Sequence, residues 1–275
     1  MPTVSTNGMT MHYIREGSGD PVLLLPGLLF GAEHWRPQID ALKDRFDVIA
    51  VDLRGQHHSQ VTAEPAGYDM WNQAEDVFGL IQALGIGPVH CIGLSMGGFI
   101  AMRLALRHPE TVRDLVLMAT TCQAEDPEKV ELYEGMRQVL EGGGLESVVT
   151  ALPVIFFRDD YIADHPEAVE AWIQSLRDGD PAGFARASRA VDHRDDISDQ
   201  VGAIGVPTLV IHGTEDAAID ADRAEDLAER IPGARLEWIE GAGHQSNVDS
   251  PFAANALISA FLDGHDVRAM SALNS

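Results

Sequence analysis

The stretch Val89-His90-Cys91-Ile92-Gly93-Leu94-Ser95-Met96-Gly97-Gly98 decides the fold. Val89 to Ile92 is a short apolar run that reads as a strand, and Met96 to Leu106 reads as a buried helix. The glycines between them allow a sharp turn that lifts the Ser95 hydroxyl above the sheet edge. The Met96 N–H then lies at a helix N-terminus, where it can meet a developing negative charge. In a chain with 26 glycines a G-x-S-x-G string alone says little; the strand before it and the helix after it give it weight. The bland alternative is that Ser95 is only a small N-cap.

On either side of this turn, short apolar runs alternate with longer amphipathic ones. Strands are expected at Met9 to Arg15, Val22 to Leu25, Phe46 to Val51, Leu115 to Met118, Val206 to Ile211 and Leu236 to Ile239. Helices are expected at Trp35 to Leu42, Trp71 to Leu84 (stopping at Gly85), Asp220 to Arg230 and Pro251 to Leu262. Strands that are apolar throughout belong to a parallel sheet with helices on both faces. The alternation stops near Thr120 and resumes at Val206, with a helical pattern between. The chain therefore divides into an α/β core at 1–121 and 201–264, a helical insertion at 122–200, and a frayed tail at 265–275.

Hydrophobic residues at 45% and charged residues at 23% of 275 are ordinary for a globule and exclude collagen-like and disordered classes. Acids outnumber bases 43 to 19, a net charge of −24 that excludes a general electrostatic binder of nucleic acid or anionic membrane. Residues 122–200 alone hold 18 acids against 7 bases. Only Lys43 and Lys129 are lysines, a composition that suits a salt-adapted surface and plain solubility alike. Cys91 and Cys122 match neither a disulfide framework nor a zinc pattern. There is no charged-then-apolar leader and no apolar run of roughly 18 residues, so the cytoplasm is the expected compartment.

A serine needs a base, and the base needs an orienting acid. Asp216, in Gly213-Thr214-Glu215-Asp216, follows the strand Val206 to Ile211 by a few residues, 121 positions after Ser95. His244, in Gly241-Ala242-Gly243-His244, lies a further 28 positions on, after the strand Leu236 to Ile239. Both fall just past the C-terminal ends of strands, the sheet edge where α/β ligands bind. Glu215 and Asp220 compete with Asp216 for the acid's role, and His244 is one of 11 histidines.

These motifs together resemble the α/β-hydrolase superfamily from about Met9 to Leu262, with Pro26-Gly27-Leu28 and Asp52-Leu53-Arg54-Gly55 as further carriers. Within it the chain is similar to the small capped branch of 3-oxoadipate enol-lactonases, cofactor-free haloperoxidase/perhydrolases and related esterases. The resemblance implies an α/β-hydrolase fold: a mostly parallel sheet of about eight strands, helices on both faces, and a helical lid inserted between strands six and seven. It also implies Ser95 as nucleophile, His244 as general base, Asp216 as the acid orienting it, and the N–H groups of Leu28 and Met96 as the oxyanion hole. Relatives that displace at saturated carbon carry an aspartate where this chain has Ser95, which leaves acyl transfer.

Two departures stand out. Pro26-Gly27 replaces the usual His-Gly, and Arg54-Gly55-Gln56-His57-His58-Ser59 replaces Arg-Gly-His-Gly-x-Ser. His57 and His58 have no acid or cysteine cluster at metal spacing, so they read as surface residues and no metal is expected. Leu29 and Phe30 beside the hole, with Phe156, Phe157 and Trp172 of the lid, are the expected substrate contacts. Arg158, Arg177, Arg186 and Arg189 are candidates for a substrate carboxylate, against the plainer reading of surface ion pairs. The expected partner is a small-molecule ester or lactone, without cofactor, with a homo-oligomer left open. Peroxide in place of water, and a non-catalytic ligand-binding role, are the alternatives.

Overall fold

The computed structural model describes residues 2–264, and the tail expected at 265–275 lies outside them. The chain runs through β1 (Thr3–Thr6), β2 (Met9–Gly17), β3 (Asp20–Leu25), α1 (Arg36–Leu42) and β4 (Phe46–Val51). Next come α2 (Met70–Leu84), β5 (Val89–Leu94), α3 (Met96–Arg107) and β6 (Val112–Met118). Six helices follow without a strand: α4 (Pro127–Glu141), α5 (Leu145–Ala151), α6 (Pro153–Phe156), α7 (Asp159–Asp164), α8 (Pro166–Arg177) and α9 (Pro181–Asp192). The alternation then resumes with β7 (Thr208–Gly213), α10 (Ala221–Arg230), β8 (Arg235–Ile239), α11 (Ser246–Asp249) and α12 (Pro251–Leu262).

The strands form one sheet in the order β1-β2-β4-β3-β5-β6-β7-β8. The β1–β2 and β2–β4 pairs are antiparallel and all the others parallel. Every residue of β4, β5 and β7 is buried, as a parallel sheet covered on both faces requires. Alternate side chains serve the two faces: Leu23 and Leu25 join the core under α2 and α3, while Val22 and Leu24 join the one under α1 and α12. This is the α/β-hydrolase fold. Among the described residues no helix is long and apolar enough to cross a membrane.

Boundaries shift for local reasons. β1, Thr3-Val4-Ser5-Thr6, escaped the sequence reading because Val4 is its one apolar residue and so it carries no apolar run. β7 begins at Thr208, two residues later than expected, since Pro207 has no N–H to give a ladder. Trp35 ends a short 3₁₀ turn over Ala32–Trp35, and the helix proper begins at Arg36 beside Pro37. Gly85 does end α2, in the left-handed conformation at φ 64°.

A third apolar cluster joins Leu29 and Phe30, in the loop after β3, to Leu140, Leu152, Phe157, Trp172 and Phe184 of the inserted helices. The insertion is thereby packed onto the loop that carries Leu28.

Candidate active site

Ser95 sits between β5 and α3 at φ 50°, ψ −114°, a strained conformation for a residue with a side chain. The surroundings enforce it. Ser95 N–H donates to Met118 O at 2.9 Å, and its carbonyl accepts from Gly98 N–H, Phe99 N–H and Thr120 Oγ1. A Cβ at Gly97 would stand 2.0 Å from Leu25 O, and one at Gly93 would stand 2.4 Å from Gly97 O, so helix and strand can approach only over bare backbone. Ser95 occupies the N-cap position of α3, but its hydroxyl makes no capping bond to the helix.

Asp216 follows β7, and both its oxygens face His244 Nδ1, at 3.0 and 2.9 Å. Its Oδ1 also accepts from Ala218 N–H and Ile219 N–H. Burial pushes the carboxyl pKa up, but the charge and hydrogen bond of His244, with His212 and the Ile219 N–H, hold it below the usual range. The group is thus an anion that fixes the ring's tautomer, with Nδ1 as donor and Nε2 left for a second partner. Glu215 points away to Arg158 Nε at 3.3 Å, and Asp220 meets Lys129 at 3.4 Å, so neither competes. His244 and Ser95 line one cavity but make no hydrogen bond to each other. Such contacts commonly tighten only when substrate binds.

The N–H groups of Leu28 and Met96 have no acceptor within the protein among the described residues. The loop bearing Leu28 is held from both sides. Leu29, at φ 68°, donates its N–H to Gln56 Oε1 at 2.6 Å, and its carbonyl accepts from Trp172 Nε1 at 3.0 Å. Gln56 therefore braces the loop where the family pattern has histidine, a role the sequence reading did not assign. The departure from Arg-Gly-His-Gly-x-Ser was the available signal.

His58 does have an acid beside it. Asp52 Oδ2 accepts from His12 Nδ1 at 2.8 Å, from His58 N–H at 3.1 Å, and lies 3.2 Å from His58 Nδ1. These three side chains could hold a metal ion, and the expectation that no acid accompanies His58 is corrected. The fold sets Asp52, just past β4, beside His12 within β2, which local spacing could not reveal. Asp52 Oδ1 meanwhile accepts from Ala32 N–H at 2.7 Å, so the group as it stands ties the loop after β3 to the loop after β4. His57 is half-buried, and that burial pushes its pKa down despite nearby Asp52.

Of the five expected substrate contacts, Leu29 and Phe156 line the cavity. Phe30, Phe157 and Trp172 instead pack together behind it: Phe30 stacks on Trp172 at 5.0 Å, and Phe157 meets both edge-on. Large rings bury more surface against one another than along a groove, which draws them into the insertion's own core. The four candidate arginines are also elsewhere. Arg158 pairs with Asp160 and Glu215, Arg177 with Glu146 and Glu170, Arg186 donates to Thr62 O, and Arg189 is exposed away from this cavity. The arginine on the cavity wall is Arg137, with Tyr133, Ser188 and Asp192 near it, and none of these was read from the sequence. They lie one turn apart on α4 and on α9, a signal visible once those helices are placed.

Sheet order and the strained serine turn are those of the α/β-hydrolase fold, and a buried histidine–carboxylate pair lines the same cavity as that serine. Comparison with known proteins agrees: a family model described as the alpha/beta hydrolase fold matches residues 20–142. The chain is 29% identical to the putative carbamate hydrolase RutD of Azorhizobium caulinodans over 266 residues, covering 95% of this chain and 98% of that protein. It is 28% identical to 3-oxoadipate enol-lactonase 2 of Acinetobacter baylyi over 262 residues, covering 94% and 96% of the two. Among solved structures, the enol-lactonase from Burkholderia xenovorans LB400 superposes with a TM-score of 0.89 at 29% identity, covering 95% of this chain and all of that one. A thermophilic esterase from Thermogutta terrifontis gives the same score and identity, over 96% of this chain and 99% of that one.

Proposed function

We propose that the protein cleaves a small carboxylic ester or lactone through an acyl-enzyme, with Ser95 as nucleophile, His244 as base and Asp216 as the orienting acid. Ser95 Oγ attacks the acyl carbon while His244 Nε2 takes its proton. The negative charge that develops on the carbonyl oxygen is met by the N–H groups of Leu28 and Met96. His244 returns the proton to the leaving oxygen. It then deprotonates a water that attacks the acyl carbon and frees Ser95. Residues 122–200 act as the lid, since they pack on the loop of Leu28 and supply most of the cavity wall.

The observation that carries this reading is the Asp216–His244 hydrogen bond of 2.9 Å on the wall of the cavity that Ser95 also lines. The similarity to proteins named as lactonase, carbamate hydrolase and esterase supports acyl transfer. Ser95→Ala should lower kcat/KM for a short-chain aryl ester by several orders of magnitude with the circular dichroism spectrum unchanged. Retention of more than about a tenth of the activity would remove Ser95 from the mechanism.

A further inference from the structure

The cavity has one wall unlike the rest. Most of its lining is apolar, including Phe99, Met136, Leu140, Val148 and Ile155. Against this stand Tyr133 and Arg137, one turn apart on α4, and Ser188 and Asp192, one turn apart on α9. The two helices pack on each other, which sets the four side chains on one polar face.

That face holds unused hydrogen-bonding capacity. Asp192 is buried, its Oδ2 bonded to Arg137 Nη1 at 2.5 Å, while its Oδ1 has no partner. Among the described residues the hydroxyls of Tyr133 and Ser188 also make no hydrogen bond. An unmatched buried carboxylate oxygen is costly, so a donor placed there by a ligand would be strongly favoured. Arg137 is already ion-paired on both sides, Nη1 with Asp192 and Nη2 with Glu134, so its charge is matched although Nη2 makes no formed hydrogen bond. Glu125, on the same wall, is matched by Arg194 at 3.0 Å. Three acids thus face two bases around this wall, leaving one negative charge in excess.

Resting on the hydrolase reading above, we propose that this wall selects a substrate whose arm remote from the scissile bond ends in a neutral hydrogen-bond donor, a hydroxyl or carboxamide, and rejects a terminal carboxylate. The donor satisfies Asp192 Oδ1, and the arm's own oxygen accepts from Tyr133 or Ser188. A carboxylate there would face Asp192 at low dielectric, with the charge of Arg137 already matched by Asp192 and Glu134. The apolar lining between this wall and Ser95 accommodates the hydrocarbon part of the arm.

The test compares kcat/KM for aryl and alkyl esters in matched sets ending in a carboxamide, an isopropyl group or a carboxylate, with the end group placed on the acyl or on the alcohol side. In the wild-type protein one side should show the carboxamide favoured over isopropyl by at least about tenfold, with the carboxylate below both. Tyr133→Phe and Ser188→Ala should each shrink that preference severalfold. Asp192→Asn should do so most, and should it fail to fold, the two hydroxyl variants decide. Equal rates for carboxamide and isopropyl on both sides, or a preference for carboxylate, in a protein that hydrolyses these esters overturns the inference alone. Failure to hydrolyse any of them, or a simple acetate ester, overturns the hydrolase reading and this inference with it.

Discussion

Asp216 and Glu215 are neighbouring carboxylates with different partners, and the difference is testable. Asp216→Asn should reduce kcat by orders of magnitude, because an amide cannot stabilise the imidazolium or hold the Nδ1–H tautomer. Glu215→Gln, which loses only a half-exposed contact to Arg158, should change kcat less than about threefold. Steady-state kinetics on one ester compare the two, and the reverse ranking would show that the wrong carboxylate is in the mechanism. Ser95, Asp216 and His244 were legible as residues because each follows a strand, and strands and their ends are local features of sequence. Gln56 was not, since its acceptor meets Leu29 N–H from 27 positions away and only the folded loop brings them together. The same holds for His12, which reaches Asp52 across 40 positions.

The aromatic cluster of the insertion links elements and not just residues. Trp172 on α8 stacks on Phe30 and donates to Leu29 O, so it ties the inserted helices to the loop of the proposed oxyanion hole. Trp172→Ala should cost about 3–5 kcal/mol of stability and lower kcat/KM for small and bulky esters alike. Phe156→Ala, at the cavity wall, should instead alter the ratio between small and bulky substrates, by an amount equivalent to about 1–3 kcal/mol. Thermal melts and two-substrate kinetics separate these outcomes; a changed ratio in Trp172→Ala alone would place that ring in the pocket after all. At this scale most of the sheet was legible, because the buried parallel strands are continuous apolar runs bounded by glycine and proline. Within the insertion, amphipathic helices were visible as a pattern. Which apolar face met a neighbour and which met the cavity depends on how six helices pack, and periodicity does not carry that.

Across the whole molecule, acid should weaken the fold before most of its carboxylates titrate. Burial pushes His34 down to about 3 and lowers His57 and His212 as well. An unfolded chain takes up protons on these rings below about pH 6.5, while the folded state resists doing so, and stability therefore falls as pH drops from there. Asp192 opposes with one proton, since burial outweighs Arg137 and raises its pKa to about 6. His193 is lowered too, and burial also raises Asp76 and Asp249, so four depressed histidines stand against three raised carboxyls. The net is a loss, and Tm at constant ionic strength should decline from pH 7.5 to 5.5; a flat or rising profile would contradict the burial of these rings. The net charge of −24, by contrast, told of partners and solubility but not of fold. The central claim is that Ser95 is an activated nucleophile, and intact-mass measurement after treatment with a fluorophosphonate tests it most directly. One adduct per chain, mapped to the peptide containing Ser95 and lost in Ser95→Ala, is the predicted result; an unmodified wild-type chain, or an adduct that persists in Ser95→Ala, would contradict it.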